Sequence, residues 1–196
     1  MSIVKDTTRA IRMTLILWVL SAIIYPLVMI VVGQIFFPFQ ANGSIVQNPQ
    51  GQALGSAIIG QAFASERYFI SRPSTVEYSI GKDAAPTGVS GASNLAPSNP
   101  ELIKRIQAEI NRLKQANISS TSDLVYTSGS GLDPHISLVA ANTQVERVAR
   151  VRGLSADQIR ALITENTDGK FLGIFGEPGV NVFQLNLALD TLKSNS

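Results

Sequence analysis

The sequence predicts a single membrane-spanning helix followed by one α+β domain on the far side of the membrane. Three observations carry this. Residues 13–65 contain no charged side chain, and 13–35 are almost continuously apolar. Lys5, Arg9 and Arg12 lie just before that stretch. Beyond it come well-marked helix starts, short apolar runs and many Gly and Pro breaks.

The division expected is a basic tail over 1–12, the span over 13–35, a juxtamembrane segment over 36–65 and the rest of the soluble domain over 66–196. A span needs about 20 apolar residues at roughly 1.5 Å of rise each. Residues 13–35 suffice, interrupted by Thr14, Ser21, Tyr25, Pro26, Gly33 and Gln34. A charge at mid-bilayer costs at least about 2.5 kcal/mol, and none is present. A cleaved signal peptide has a shorter apolar core, about 7–15 residues, and a small-residue cleavage site. Phe36, Phe37, Pro38 and Phe39 stand there instead, suiting a membrane boundary and a helix end.

Charge sets the orientation. The tail holds three basic residues against Asp6, and the next ionisable group is Glu66. Positive flanks stay in the cytoplasm, so the expectation is a single-pass protein of the inner (cytoplasmic) membrane with its carboxyl-terminal domain outside. Beyond the tail, thirteen Lys plus Arg balance thirteen Asp plus Glu. The overall charge of +2 therefore belongs to the tail and is no nucleic-acid footprint. No cysteine and a single histidine exclude thiol chemistry and most metal sites.

In chain order, Asn42-Gly43 reads as a turn. Residues 57–59 and 68–70 read as short strands. Residues 71–100 are a long Pro- and Gly-broken loop, a candidate interaction surface through Arg72, Pro73, Ser93, Asn94, Leu95 and Asn99. Asn99 caps the next helix, with Pro100 and Glu101 in its first turn and Leu102, Ile106, Ile110 and Leu113 on one face. Asp133-Pro134 suggests another helix start, ended by Gly153. Ser155 and Gln158 form a capping box, stapled by Leu154 and Ile159. Residues 171–192 read as a short strand, a turn at Glu177-Pro178-Gly179, a strand over 180–182 and an apolar closing helix.

Catalytic motifs are missing. There is no P-loop, GxGxxG, HExxH or GxSxG. Gly129-Ser130-Gly131 with Asp133 and His135 is simpler as a turn leading to a helix cap than as a nucleophile cluster. In the span, Thr14, Trp18, Ser21 and Tyr25 share one stripe, which favours a protein neighbour over lipid.

The ordered motifs resemble a known family. Phe37-Pro38-Phe39-Gln40-Ala41-Asn42-Gly43-Ser44 follows the span, then Gly55-Ser56-Ala57-Ile58-Ile59-Gly60-Gln61-Ala62-Phe63, Tyr68-Phe69 and Arg72-Pro73-Ser74. Ser93-Asn94-Leu95-Ala96-Pro97-Ser98-Asn99-Pro100, Ser130-Gly131-Leu132-Asp133, Gln144 with Arg147-Val148-Ala149, and Asn186-Leu187-Ala188-Leu189-Asp190 complete the order. Over nearly its whole length the chain resembles the C subunit of the bacterial Kdp potassium-transporting ATPase, the KdpC family. It departs where Ala92 follows Gly91 and where Gln184 stands at an often acidic position.

The resemblance implies a non-catalytic, single-span accessory subunit of a high-affinity, ATP-driven potassium uptake complex, needed for its assembly. The implied partners are a channel-like potassium-translocating subunit, an ATP-hydrolysing P-type subunit and the lipid bilayer, with no nucleic acid. No covalently bound cofactor is implied; ATP enters through the ATPase subunit, whose ATP affinity a catalytic chaperone would raise. In that view Leu154-Ser155-Ala156-Asp157-Gln158 resembles a transporter signature motif, and Gln158, with Ser155, contacts nucleotide. The alternative functions are a cytoplasm-facing nucleotide-binding domain acting through Gln158 and a membrane-tethered extracytoplasmic enzyme. The capping-box reading of Ser155 and Gln158 competes with the nucleotide reading and predicts a purely structural role.

Overall fold

A computed structural model describes residues 3–76, 91–131 and 133–194. It divides into two compact units, residues 1–54 and 55–196.

The first unit is dominated by one helical rod. Helix α1 (Ile3–Val19) runs through a π-helical turn, Leu20–Ile24, into α2 (Tyr25–Phe36). The cause of the π turn is Pro26, which has no N–H and whose ring clashes with the carbonyl one turn back. The backbone widens by one residue just before it, and Tyr25 N–H bonds Leu20 O. The rod Ile3–Phe36 is long and apolar enough to cross a membrane, and its most apolar window buries nothing within the chain. Phe37 ends it with non-helical φ, and a one-turn helix α3 (Pro38–Ala41) follows. The turn expected at Asn42-Gly43 forms, with Gly43 at φ +81°. Strands β1 (Ile45–Gln47) and β2 (Ala53–Ser56) pair as a two-stranded ribbon. Asn48 shapes their connection, its Oδ1 accepting from Gln50 N–H at 3.1 Å and Gln52 N–H at 2.9 Å.

The second unit mixes helices with one small sheet. Its helices are α4 (Pro100–Gln115), α5 (Ser122–Val125), α6 (Leu138–Asn142), α7 (Val145–Arg152), α8 (Ala156–Glu165) and α9 (Val182–Ser194). Strands β3 (His135–Ile136), β4 (Thr167–Asp168) and β5 (Gly179–Asn181) form an antiparallel sheet in the order β3-β5-β4. His135 lies opposite Asn181, and Thr167 opposite Val180. Phe69, Leu113, Leu124, Val148, Ile159, Val180, Leu185 and Leu189 are fully buried in one core.

The helix ends follow the chemistry of their caps. Asn99 accepts from Glu101 N–H at 2.9 Å, and Leu113 is the buried end of the expected face of α4. Gly153 closes α7 at φ +71°. The capping box at α8 is fully formed: Ser155 Oγ accepts from Gln158 N–H at 3.2 Å and Gln158 Oε1 from Ser155 N–H at 2.9 Å. Ile159 is fully buried and Leu154 packs on the core, as a staple requires.

Four local expectations need correction. Residues 57–59 form a turn, because Ala57 O is taken by the Asn181 side-chain amide at 2.8 Å. Residues 68–70 follow a turn closed by Tyr68 N–H on Ser65 O at 3.1 Å and pair with no strand. The helix expected after Asp133-Pro134 starts later, at Ser137, whose Oγ accepts from Ala140 N–H at 3.1 Å. His135 and Ile136 are drawn into β3 instead, with Asp133 Oδ1 turning the chain by accepting from His135 N–H at 3.0 Å. At the carboxyl end, Phe171 and Phe175 make one isolated bridge in place of a strand, and Val182 opens α9.

Candidate functional site

The most organised polar structure surrounds residues 66–70. Five consecutive carbonyls each accept a hydrogen bond from a distant side chain. Arg147 takes Glu66 O and, at 2.8 Å, Tyr68 O. Arg152 takes Arg67 O at 2.7 Å. Asn186 Nδ2 takes Phe69 O at 3.0 Å, and Gln144 Nε2 takes Ile70 O at 3.3 Å. The same two amides accept in return, Asn186 Oδ1 from Phe69 N–H at 2.8 Å and Gln144 Oε1 from Ile70 N–H at 2.9 Å. A side-chain amide carries one donor and one acceptor, so each mimics a neighbouring strand. This is why Phe69 can be fully buried between half-buried Tyr68 and Ile70 without a sheet.

Charge is handled within the same cluster. Arg152 is 1% exposed in its side chain; it bonds Asp190 Oδ1 at 2.8 Å and Leu189 O at 2.9 Å, and lies 4.9 Å over the Tyr68 ring. It sits at the carboxyl end of α7, where the helix dipole favours a cation. Tyr68 O–H donates to Asp190 Oδ2 at 2.8 Å, and this bond to a carboxylate raises the phenol above its ordinary pKa. Burial lowers Arg147, which remains a cation held by carbonyl dipoles and by Gln144 Oε1 at 3.0 Å.

The clamped segment leads into a cleft of about 450 Å³. Arg72 and Pro73 line it, with Asp133, Arg112 and Ser128 across from them. Arg72 pairs with Asp133 at 3.0 Å, both half-buried. Ser128 N–H bonds Pro73 O at 3.1 Å. Gly60 is needed at the wall, since a Cβ there would lie 2.5 Å from Asp133 O. Asp133 also faces His135. Burial pushes the Asp133 carboxyl up, but the His135 side chain, the His135 N–H and Arg72 outweigh it and hold it below the usual range.

His135 Nε2 meets Asp168 Oδ2 at 2.7 Å across the sheet, and Nδ1 lies 3.7 Å from Asp133 Oδ1. Gly179 on the central strand makes room, because a Cβ there would stand 3.1 Å from His135 Cβ. Asp133 raises the imidazole pKa most, burial opposes it, and Asp168 adds to the rise. Asp168 is nearer but 65% exposed, so water screens it, whereas Asp133 is 27% exposed. The imidazole is thus directed at two carboxylates, a structural bridge and not the base of a nucleophile cluster.

The remaining candidate residues are distributed. Ser93 Oγ accepts from Arg105 at 3.4 Å; Asn94 is exposed at φ +50°; Leu95 is half-buried; Asn99 is the α4 cap. The middle of the expected interaction loop, 77–90, lies outside the described residues, as does Leu132. Thr14, Trp18, Ser21 and Tyr25 are all exposed on the rod, and Ser21 Oγ bonds Leu17 O of its own helix at 2.7 Å. Ser155 and Gln158 are exposed on α8, beside Asp157 and Glu146, which pair with Arg160 at 3.0 and 3.5 Å.

Residues 7–191 match a family model described as KdpC, K+-transporting ATPase, c chain. The chain belongs to the KdpC family. It is 60% identical over 196 residues to the potassium-transporting ATPase KdpC subunit of Anabaena sp. (strain L31), covering 100% of this chain and 98% of that one. The KdpC subunit of Synechocystis sp. is 57% identical over 187 residues, covering 95% and 98%. That of Geobacter sulfurreducens is 45% identical over 191 residues, covering 96% and 98%. In this KdpC-family chain the motifs at Tyr68-Phe69, Gln144, Arg147 and 186–190 converge on the carbonyl clamp. The sequence alone marks those residues as an ordered set but not what they hold, and nothing in it singles out Arg152. The available hint was Asn186 among Leu185, Leu187 and Leu189: an amide on a helix otherwise built to be buried needs an internal partner.

Proposed function

We propose that this chain is the non-catalytic assembly subunit of a potassium-transporting ATPase, with one helix spanning the membrane and the α+β domain outside the cytoplasm. Its partners are the potassium-translocating and ATP-hydrolysing subunits of that pump, and any gain in ATP affinity is transmitted through contact. The observation that carries this is the capping box. Both Ser155 and the Gln158 amide oxygen are committed to the start of α8. Asp157 and Glu146 outnumber Arg160 beside it, which disfavours a triphosphate. The excess of Lys and Arg before the span supports a cytoplasmic amino terminus, which separates Gln158 from cytoplasmic ATP.

The test is Gln158→Glu in the assembled pump. A glutamate keeps the box and suits the helix start, so the expected result is an unchanged apparent ATP constant and an unchanged melting temperature. A large rise in that constant without destabilisation would instead support the nucleotide-binding alternative. Protease added to right-side-out vesicles checks the topology: digestion of the domain is expected, and protection would place it in the cytoplasm.

A further inference from the structure

The cleft beside the carbonyl clamp carries more positive charge than its ion pairs cancel. Two pairs line it, Arg72 with Asp133 at 3.0 Å and Arg112 with Glu109 at 2.8 Å. Neither uses up its guanidinium. Arg72 commits Nη1 to Asp133, and Arg112 commits Nε to Glu109, so among the described residues Arg72 Nη2 and both Nη groups of Arg112 meet no acceptor. A third guanidinium stands behind the wall. Ile70 lines the cleft, its N–H donates to Gln144 Oε1 at 2.9 Å, and the same oxygen accepts from Arg147 at 3.0 Å. Arg147 is 5% exposed, and its described acceptors are two carbonyls and this amide oxygen, not a carboxylate. The buried Nε of Arg72 and of Arg147 lack acceptors as well among the described residues. Burial depresses the Arg147 pKa, Glu66 opposes this, and Arg112 deepens it, so the two arginines feel one another. Glu66 is exposed, and water screens it. His135, on the far side of Asp133, is matched by Asp168 at 2.7 Å. Three guanidiniums thus face two carboxylates, which leaves one positive charge in excess.

We infer that this cleft binds a small monocarboxylate with a compact apolar body. The carboxylate sits between Arg72 and Arg112, whose planar forks suit it. The body lies on an apolar lining: Phe63, Pro73 and Val76 are half-buried along the cleft, and the Phe63 ring is set against Tyr68 with centroids 5.6 Å apart. A volume of about 450 Å³ suits a compact small molecule. One negative charge balances the excess. A phosphate dianion overshoots it and meets Asp133 and Glu109. A bound carboxylate ties α4, which carries Arg112, to the segment held by the clamp. The capping box contributes nothing to this cleft, so the site is separate from any nucleotide contact at Gln158 and does not depend on the assembly role.

The test is calorimetric titration of the full chain in detergent at pH 7 with benzoate and with isovalerate. At least one is expected to bind saturably, one per chain, with a Kd of about 1 mM or tighter. Benzamide has the body of benzoate without its charge, and inorganic phosphate has charge without a body; each should bind at least about tenfold more weakly. Arg112→Gln should weaken carboxylate binding by about tenfold or more, as loss of a charge-assisted bond does. Its melting temperature without ligand should stay within about 2 °C, because Arg112 is 47% exposed and its ion pair is a surface one. Lys114→Gln removes the same charge from α4 outside the cleft and should bind like wild type. Absence of saturable binding by both acids overturns the site. Equal binding of benzamide, or phosphate binding as tight as benzoate, overturns the ligand class. An unchanged affinity in Arg112→Gln overturns the placement.

Discussion

Asn186→Ala should be among the most destabilising single substitutions in the domain. Asn186 is 2% exposed and Phe69 is fully buried. Truncation removes both bonds of the reciprocal pair and leaves the Phe69 N–H and C=O without partners in a dry site. Each buried unsatisfied group costs about 1–3 kcal/mol, so the two together cost about 2–6 kcal/mol. That is a large share of a typical stability of about 5–15 kcal/mol. At roughly 2–4 °C per kcal/mol for a chain of this size, a mid-range loss lowers the melting temperature by about 8–16 °C. The assay is thermal unfolding of the full chain in detergent, followed by near-ultraviolet circular dichroism. Asn186→Asp keeps the acceptor for Phe69 N–H but sets a carboxylate against Phe69 O, so it should not rescue. Asn111→Ala on the exposed face of α4 is the control, expected within about 0.5 kcal/mol of wild type. If Asn186→Ala behaves like that control, the amide does not stand in for a strand and the clamp argument is wrong.

The His135 bridge gives a pH dependence of defined sign. Its pKa is raised above 6.5, so its stabilisation is complete below that value and fades as pH rises through the folded pKa. The melting temperature should fall as pH rises from about 6.5 through the raised folded pKa, and His135→Gln should remove that slope. The Asp133 carboxyl is held below 3.8, so its contribution should disappear only in stronger acid, and Asp133→Asn should blunt that loss. Arg9→Glu with Arg12→Glu should impair insertion or invert orientation in a reporter-fusion assay; an unchanged topology would count against the charge argument. Tyr25→Leu with Ser21→Leu should weaken co-purification of the other subunits while leaving insertion intact, with Tyr25 the larger contributor because Ser21 is already bonded to Leu17 O.

Features governed by neighbouring residues were legible in the sequence. The long apolar helix, the turn at Gly43, the Asn99 cap, the Gly153 stop and the Ser155 box each follow from neighbouring positions. The β structure was not. Strands of two or three residues are too short to show a period, and His135-Ile136 becomes a strand only because Asn181 and Val180 lie opposite. Residues 68–70 have the composition of a strand, yet their partners are side chains 74 and 117 residues away. No local pattern encodes a contact of that span. The cleft was half legible: Arg72-Pro73 stood out as an ordered motif, but its partner Asp133, 61 residues on, looked like a helix cap.

The carbonyl clamp has a consequence for how the chain survives before it meets other subunits. An extended, apolar segment with free backbone groups is a template on which another chain can add a strand, the usual first step toward aggregates. Here the acceptors from Glu66 to Ile70 and the donors of Phe69 and Ile70 are already occupied by groups of the same chain. A side chain cannot pass its bond on to a further strand, so the ladder ends where it begins. The segment around Phe69 thus offers no open edge to a further strand, for the same reason that its fold is specific.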